Sequence, residues 1–238
     1  MSYRLLSYFL SMFRKNSSEI NIEDVNGMRT LIKYKCNDPR VVVPVGVENI
    51  GTNAFSESIN SSSIVISEGV KRISFRAFAE CKQITSIQIP KSVQFIGESA
   101  FAGSDNLTTI INARGLVHIG DYAFSRCNKL THFDIPSSVI SIGEYAFARS
   151  AITSIVIPDG VNKINKGTFR GCKNLERIVI PDSVTEINSS AFTGCDKLKT
   201  IVRPNGEEIT LNPHVGASVP CEEECLKDIP YTNSASIK

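Results

Sequence analysis

The feature that constrains this chain most is a phenylalanine that returns at a nearly constant interval. The steps between successive copies are 23, 23, 23, 23, 22 and 23 residues, and the seven copies are Phe55, Phe78, Phe101, Phe124, Phe147, Phe169 and Phe192. A fixed period of this length is the signature of a repeat architecture, in which each unit packs against the next one. The spacing therefore predicts a stack of seven coils.

Other residues recur with the phenylalanine, so that the unit reads I-x-I-P-x-S-V-x-x-I-G-x-x-A-F-x-x-C-x-x-L-x-x. I-x-I places both isoleucines on one side of a short strand, which the proline ends. V-x-x-I predicts a second short strand, and the glycine after it predicts a tight bend. The small residue and Phe then turn the chain and direct one ring inward. A single unit cannot bury its apolar side, whereas stacked units form continuous apolar columns.

The unit resembles the BspA-like leucine-rich repeat, a class found in surface proteins of anaerobic bacteria and parasitic protists. The closest agreement is in the phrases from Ile180 to Ile187 and from Ala191 to Cys195, and the resemblance covers about residues 30–203. It implies a leucine-rich-repeat solenoid, which we expect to be a strand-rich, right-handed coil stack with short helical turns. It also implies adhesion or protein binding, and it carries over no catalytic residues.

The segments outside the repeat are interpreted by their local signals. Asn26-Gly27, between two alternating apolar runs, predicts an N-terminal hairpin that caps the first coil. An apolar run from Leu5 to Phe13, flanked by basic residues, predicts an amphipathic helix folded onto the domain. A membrane-surface anchor and an atypical secretion signal are the alternatives. The predicted organisation is an amphipathic segment at 1–18, the capping hairpin at 19–43, the solenoid at 44–203, a C-terminal cap at 204–215 and a flexible tail at 216–238.

Residues that could carry chemistry do not form a catalytic, cofactor or metal motif. Four cysteines occupy the third position after the phenylalanine and predict a column of buried thiols: Cys81, Cys127, Cys172 and Cys195. The alternatives are a bridge between Cys172 and Cys195 and a disulfide or metal site at Cys221 and Cys225. His118, His132 and His214 are scattered, which does not favour a nucleophile–histidine arrangement. Asn112 replaces an inward isoleucine and is expected to need internal hydrogen-bond partners.

Composition and targeting signals limit the classes of partner and the cellular locations that are possible. The formal net charge is +2, without the clustered excess of one sign that predicts a nucleic-acid partner, and no apolar run is long enough for a transmembrane helix. N-terminal contact with a membrane surface stays an alternative. The resemblance implies a cell-surface or secreted protein, and the absence of a clear signal peptide keeps a cytoplasmic location open. Four N-x-S/T sequons begin at Asn16, Asn60, Asn106 and Asn188 and would matter in a secreted eukaryotic protein.

Function is therefore expected to reside on the surface of the sheet formed by the I-x-I strands. The hypothesis is a non-catalytic protein-interaction module for adhesion or surface recognition, with an intracellular interaction scaffold as the alternative. Val156, Val179 and Val202 predict an exposed apolar strip on the last coils, unless they are simply β-branched residues suited to strands. The candidate partner-binding residues are Gln88, Ile111, His132, Asp134, Val156, Arg177, Val179 and Val202.

Overall fold

The repeating units fold into a β-solenoid of about 7 turns, as their period predicts. A computed structural model describes residues 20–35, 39–56 and 60–210. The amphipathic segment predicted at 1–18 and the flexible tail predicted at 216–238 lie outside the described residues, together with Cys36, Cys221 and Cys225. Nothing in the described ranges is a helix long and apolar enough to cross a membrane.

The I-x-I motif forms the first strand of most coils, and we call the resulting surface the IxI face. Its strands pair in parallel and in register, so that Ile64 lies beside Ile87 and Ile155 beside Ile178. The strands are β3 (Arg40–Val42), β5 (Ser63–Val65), β7 (Ser86–Gln88), β9 (Thr109–Ile111), β12 (Ser154–Val156), β14 (Arg177–Val179) and β16 (Thr200–Val202). This arrangement places the two isoleucines of each motif inward, because successive side chains of a strand point to opposite sides.

The V-x-x-I motif forms a second short strand in every coil, and we call this surface the VxxI face. It consists of β4 (Asn49–Ile50), β6 (Arg72–Ile73), β8 (Phe95–Ile96), β10 (His118–Ile119), β11 (Ser141–Ile142), β13 (Lys163–Ile164) and β15 (Glu186–Ile187). Strand pairing stops between β11 and β13, where the repeat is one residue short. There the side-chain amide of Asn165 donates a hydrogen bond to the carbonyl of Ile142 (2.7 Å) and joins the two coils.

The third side of each coil is a chain of turns instead of the expected short helical turns. In the second coil the amides of Ala77, Ala79 and Cys81 each donate to the carbonyl three residues earlier. Between these turns the chain enters the left-handed region, with φ of 52° at Arg76 and 57° at Glu80. A helix cannot continue through such residues, so the described residues contain turns and no helix.

The core is a ladder of aromatic rings that runs along the solenoid axis. The seven repeated phenylalanines are buried, and neighbouring rings stack with centroids between 4.5 Å (Phe55–Phe78) and 5.6 Å (Phe169–Phe192). Tyr34, from the N-terminal hairpin, extends the ladder with its ring centroid 5.0 Å from that of Phe55. The prediction that each phenylalanine directs its ring inward is confirmed.

The glycine after V-x-x-I is required for packing and not for a bend. A Cβ built on Gly97 would lie 2.9 Å from the carbonyl oxygen of Ile73, and one on Gly120 would lie 2.7 Å from the amide nitrogen of Glu98. Neither glycine has a positive φ. Successive coils therefore approach most closely at this position, where a side chain would meet the neighbouring backbone.

The predicted N-terminal hairpin is confirmed and covers the first coil. Its strands are β1 (Ile20–Val25) and β2 (Met28–Tyr34), which pair antiparallel. Asn26 and Gly27 both have positive φ, 50° and 75°, as a two-residue hairpin turn requires. β2 pairs in parallel with β4, so the hairpin occupies the sheet edge that would otherwise be open to another chain.

At the C-terminal end, β17 (Glu208–Thr210) pairs antiparallel with β16. The turn between them is closed by the amide of Arg203, which donates to the carbonyl of Glu207 (2.8 Å). β17 falls within the segment where a C-terminal capping strand is predicted, and the described residues end at Thr210. The IxI face is therefore closed at this end by a strand of opposite direction.

Candidate interaction surface

The candidate residues of the IxI face differ in exposure. Gln88 and Arg177 are exposed and Val179 is half-buried, whereas Ile111 and Val156 expose 43% and 57% of their surface. The expectation that Val202 belongs to an exposed strip is wrong, because Val202 is only 3% exposed. β17 pairs with β16 and brings Glu208 opposite Val202. The predicted strip of three valines is thus reduced to Val156 and the half-buried Val179.

The IxI face is interrupted in its middle. Strands β3, β5, β7 and β9 form one sheet, β12, β14, β16 and β17 form another, and residues 131–136 between them belong to no strand. On the VxxI face β10 and β11 still pair at the first of the two coil boundaries in this gap, whereas pairing between β11 and β13 is lost at the second. On the turn side the amide of Phe124 also donates to the carbonyl of Ala146 at 2.7 Å.

Two local departures from the repeat account for the interruption. Asn112 takes a left-handed conformation (φ 65°) and is exposed, so the expectation that it points into the core is wrong. The next residue, Ala113, is buried, as Pro90 is at the same position of a regular coil. Phe133 stands where most coils have the first isoleucine, and its ring tilts by 47° against that of Phe124. We attribute the lost pairing to the larger ring beneath this strand position and to the turn at Asn112.

Four candidate residues lie within or beside this gap, and we call them the interrupted patch: Ile111, His132, Asp134 and Val156. His132 and Asp134 lie on either side of the buried Phe133, and their side chains pair at 2.9 Å between Nε2 and Oδ1. Both side chains are largely exposed. In the regular order of the coils, Ile111 precedes this pair and Val156 follows it. The patch thus combines two exposed apolar side chains with a polar pair that can accept or donate hydrogen bonds.

The repeated cysteines form the predicted column of buried, free thiols. Each thiol donates a hydrogen bond to a phenylalanine carbonyl of the preceding coil, for example Cys172 to Phe147 at 3.0 Å. Burial raises the pKa of Cys81 to about 12 and that of Cys172 to about 11, and it also raises the pKa of Cys127 and Cys195. Because the reactive form of cysteine is the thiolate, this column is structural.

Serine occupies the same column in two coils, which the sequence interpretation missed. Ser104 is buried and donates to the carbonyl of Phe78 at 2.8 Å. Ser150 is buried as well and lies 3.5 Å from the sulfur of Cys172. The signal was present in the spacing, because both serines stand three residues after a repeated phenylalanine. The column therefore selects a small side chain with one hydrogen-bond donor.

The remaining candidate residues do not assemble into a reactive site within the described ranges. His118 stacks on Phe95 with ring centroids 4.9 Å apart, His132 belongs to the interrupted patch, and His214 lies outside the described residues. No three His, Cys, Asp or Glu side chains in that part of the chain could hold a metal ion. Of the sequon asparagines, Asn60 is exposed, whereas Asn106 donates to the carbonyl of Lys82 (2.7 Å).

The regular coil now allows comparison with known proteins. A family model for the BspA type leucine rich repeat region matches residues 31–151 and 103–212, in 6 copies. The chain belongs to this BspA-type leucine-rich repeat family. Members of this family are repeat proteins that bind other proteins and are generally non-catalytic. The chain is accordingly a BspA-type repeat domain, whose repeated unit is the structural coil described above.

The similar solved structures include other leucine-rich repeat proteins. The crystal structure of the T. pallidum leucine-rich repeat protein TpLRR is similar at 26% identity and a TM-score of 0.71, and the match covers 76% of this chain and 89% of that one. A leucine-rich repeat protein from Bacteroides ovatus matches at 21% identity, a TM-score of 0.41, and 78% and 70% coverage. One from Bacteroides capillosus matches at 25% identity, a TM-score of 0.41, and 58% and 92% coverage. No curated protein matches the chain.

Proposed function

We propose that this BspA-type domain is a non-catalytic adhesion or surface-recognition module, and that its protein partner contacts the interrupted patch. The observation that supports this proposal is the exposure of Ile111 and Val156 on either side of the His132–Asp134 pair. Exposed apolar side chains grouped on a rigid surface mark interaction sites more often than isolated ones do. The polar pair between them would give orientation and specificity.

The missing strand pairing distinguishes this place from the rest of the IxI face. Along the regular part of the IxI face, the backbone groups of one coil are bonded to those of the next. The edges of β9 and β12 that face residues 131–136 lack a ladder partner. Residues 131–136 of the same chain fill the space between these edges, and the amide of Thr153 donates to the carbonyl of Thr131 at 3.0 Å. The interruption therefore marks the irregular part of the face and does not offer an open strand edge.

The test uses a photo-crosslinking amino acid placed at Ile111, at Val156 or at Ile140 in the full chain expressed in its native cells. Ile140 is the matched control, because it is 51% exposed and directly precedes the VxxI strand β11. We expect the same crosslinked protein from Ile111 and Val156 and none from Ile140. Crosslinks from Ile140 of equal yield would contradict the assignment of the site.

Affinity measurements with the partner identified in this way complete the test. Ile111→Thr and Val156→Thr keep β-branched residues in the strands and remove apolar contact area. Since burial of such a side chain contributes about 1.5–3 kcal/mol, each substitution should weaken binding by about tenfold. Ile140→Thr should leave the affinity unchanged. Equal losses for all three variants would show that the substitutions act through stability and not through the patch.

A second candidate function is an intracellular interaction scaffold, which the four free cysteines favour because disulfides are rare in the cytosol. The intact mass of protein from its native source separates the two candidates. A trimmed N-terminus, attached glycans or a blocked thiol pair supports presentation outside the cell. A full-length mass with all 7 cysteines available for alkylation supports the scaffold.

A further inference from the structure

The side of the solenoid formed by the turns carries several arginines, although the formal net charge of the whole chain is only +2. Arg126 and Arg149 both stand two residues after a repeated phenylalanine, in left-handed conformations with φ of 58°. Arg170 and Lys173 follow in the next coil. Ion pairs that the structure shows among its described residues involve none of these four side chains. Consecutive coils therefore present a short row of unneutralised positive charges.

Two open depressions run along this row. One, of about 440 Å³, is lined by Tyr122, Arg126, Arg149 and Arg170, and by Glu80 at its end. The second, of about 700 Å³, shares Arg149 and Arg170, adds Lys173 and ends at Asp196. The two depressions are thus halves of one groove along the solenoid axis. Between its acidic ends, the basic residues occupy three consecutive coils.

The side chains of the groove are held in place by small residues in neighbouring coils. A Cβ on Gly167 would collide with the ring of Tyr145, and a Cβ on Gly171 would lie 3.1 Å from Cγ of Arg149. The Tyr145 ring and the Arg149 stem therefore lie across these glycines. Tyr122 stacks on Tyr145, with centroids 5.0 Å apart and an interplanar angle of 7°.

One aromatic face in this groove stays open. The ring of Tyr145 is covered by Gly167 on one side and by Tyr122 on the other. The opposite face of Tyr122 is directed toward the preceding coil, where Ser99 stands at the equivalent position two residues before phenylalanine. Tyr122 is 41% exposed. A ring face beside guanidinium groups is suited to a ligand that has both C–H faces and acidic groups.

We propose that this groove binds a short acidic oligosaccharide, with carboxylate or sulfate groups on Arg126, Arg149 and Arg170 and a sugar ring on Tyr122. Guanidinium groups bind such oxyanions through paired hydrogen bonds. The basic residues span two coil intervals, or about 10 Å at the usual strand spacing of about 4.8 Å. That length and the acidic ends match a short segment with a few charges rather than a long polyanion.

The backbone on this side argues against a peptide as the occupant. The amides of Tyr122 and Arg126 donate to carbonyls of the next coil, at 2.8 Å each, and the amide of Arg149 donates to Arg170 at 2.8 Å. An extended peptide is usually held by main-chain hydrogen bonds to an open strand edge, and these donors are already used. The acidic residues Glu98, Asp121 and Glu144 lie in the adjacent column and line neither depression.

The test measures binding to the full chain by calorimetry with defined probes. The charged probes are a heparin tetrasaccharide and a tetragalacturonate, which separate sulfate from carboxylate recognition. The comparison probes are maltotetraose, a pentaglutamate peptide and a short single-stranded oligonucleotide. We expect at least one charged saccharide to bind, with affinity that falls as salt is added, and no binding of maltotetraose. Tighter binding of the peptide or the oligonucleotide, or no binding of either charged saccharide, overturns the proposal.

Variants locate the site. Arg126→Gln and Arg149→Gln should each weaken saccharide binding about tenfold, and Gln is no more strained than Arg at these backbone angles. Arg149→Lys should recover part of the loss, because it restores charge without the paired geometry. The matched control is Arg114→Gln, which removes an exposed arginine outside the groove and should change nothing. An equal effect of Arg114→Gln would refute the groove as the site. The interrupted patch is separate, so Ile111→Thr should leave saccharide binding intact.

Discussion

The aromatic ladder predicts that a Phe→Ala substitution lowers the free energy of unfolding by different amounts at different positions along the solenoid axis. Phe124 is completely buried, and its ring is stacked on Phe101 (5.3 Å) and Phe147 (5.4 Å) and tilted against Phe133 (5.2 Å). Hydrogen bonds between the coils hold both neighbours in place, such as Phe124 N–H to the Ala146 carbonyl at 2.7 Å. The cavity left by Phe124→Ala therefore cannot close. We expect a loss of about 4–5 kcal/mol in the free energy of unfolding, the upper part of the range for such changes.

Phe192 provides the comparison, because it lies at the end of the ladder. It stacks on one ring, Phe169 at 5.6 Å, and remains 8% exposed. Because this side chain is partly exposed and lacks a second stacked ring among the described residues, Phe192→Ala should lose only the transfer free energy, about 1.5–3 kcal/mol.

Urea denaturation followed by circular dichroism measures both values, with the slope checked for loss of two-state behaviour. Phe124→Leu, which retains most of the volume, should cost about 1.5 kcal/mol or less. An equal cost for Phe124→Ala and Phe192→Ala would refute the reasoning, because rigidity on both sides would then not determine the penalty.

Two further predictions concern the turns and the thiols. Arg76→Gly should raise the free energy of unfolding by about 0.5–1 kcal/mol in urea titration, because φ is 52° at this position and the strain of a left-handed residue exceeds the entropy cost of glycine. Gly194→Ala, at φ 75°, should lower the free energy of unfolding. A change of the same sign in both variants would contradict the argument. Burial raises the pKa of Cys81 and Cys172, so between the ordinary thiol pKa of 9.0 and about 11–12 these thiols ionise only in the unfolded chain. Their contribution to the free energy of unfolding is therefore complete below pH 9.0 and falls as the pH rises toward about 11–12. Urea midpoints at pH 8 and 10 should therefore differ more than in a variant with serine at the four repeat cysteines, and parallel behaviour of the two proteins would remove the thiols as the cause.

The periodic features could be predicted because they depend on residues that recur in each coil. The inward phenylalanines, the two strands of each coil and the buried cysteines follow from the 23-residue spacing, and Asn26-Gly27 predicts the hairpin. Tyr34 was missed, because it enters the aromatic ladder only 21 residues before Phe55, outside the period. Its position follows from the pairing of β2 with β4, which local sequence does not show.

The exposure of individual candidate residues could not be predicted in the same way. Alternation along a strand places Val202 outward, but it is buried beside the antiparallel strand β17, which ends the IxI face. Alternation also places Asn112 inward, but a left-handed turn exposes it. A polar side chain without internal partners is costly to bury, so the backbone turns where the repeat would require such burial. In both cases a neighbouring element decides between two conformations that the local pattern allows.

By itself, the sequence determined the family, the number of coils, the inward columns and the N-terminal cap, because these follow from residue types at fixed intervals. Only the tertiary structure decided where strand pairing is lost around His132 and Asp134, and which side chains form the groove around Arg126 and Arg149. Both features depend on contacts between coils. We attribute the gap to the Phe133 ring beneath one strand and the turn at Asn112, and in the groove the Tyr145 ring and the Arg149 stem lie against glycines of the next coil. In the groove these contacts join residues 22 positions apart, Tyr145 to Gly167 and Arg149 to Gly171, and their geometry exists only once the coils are stacked.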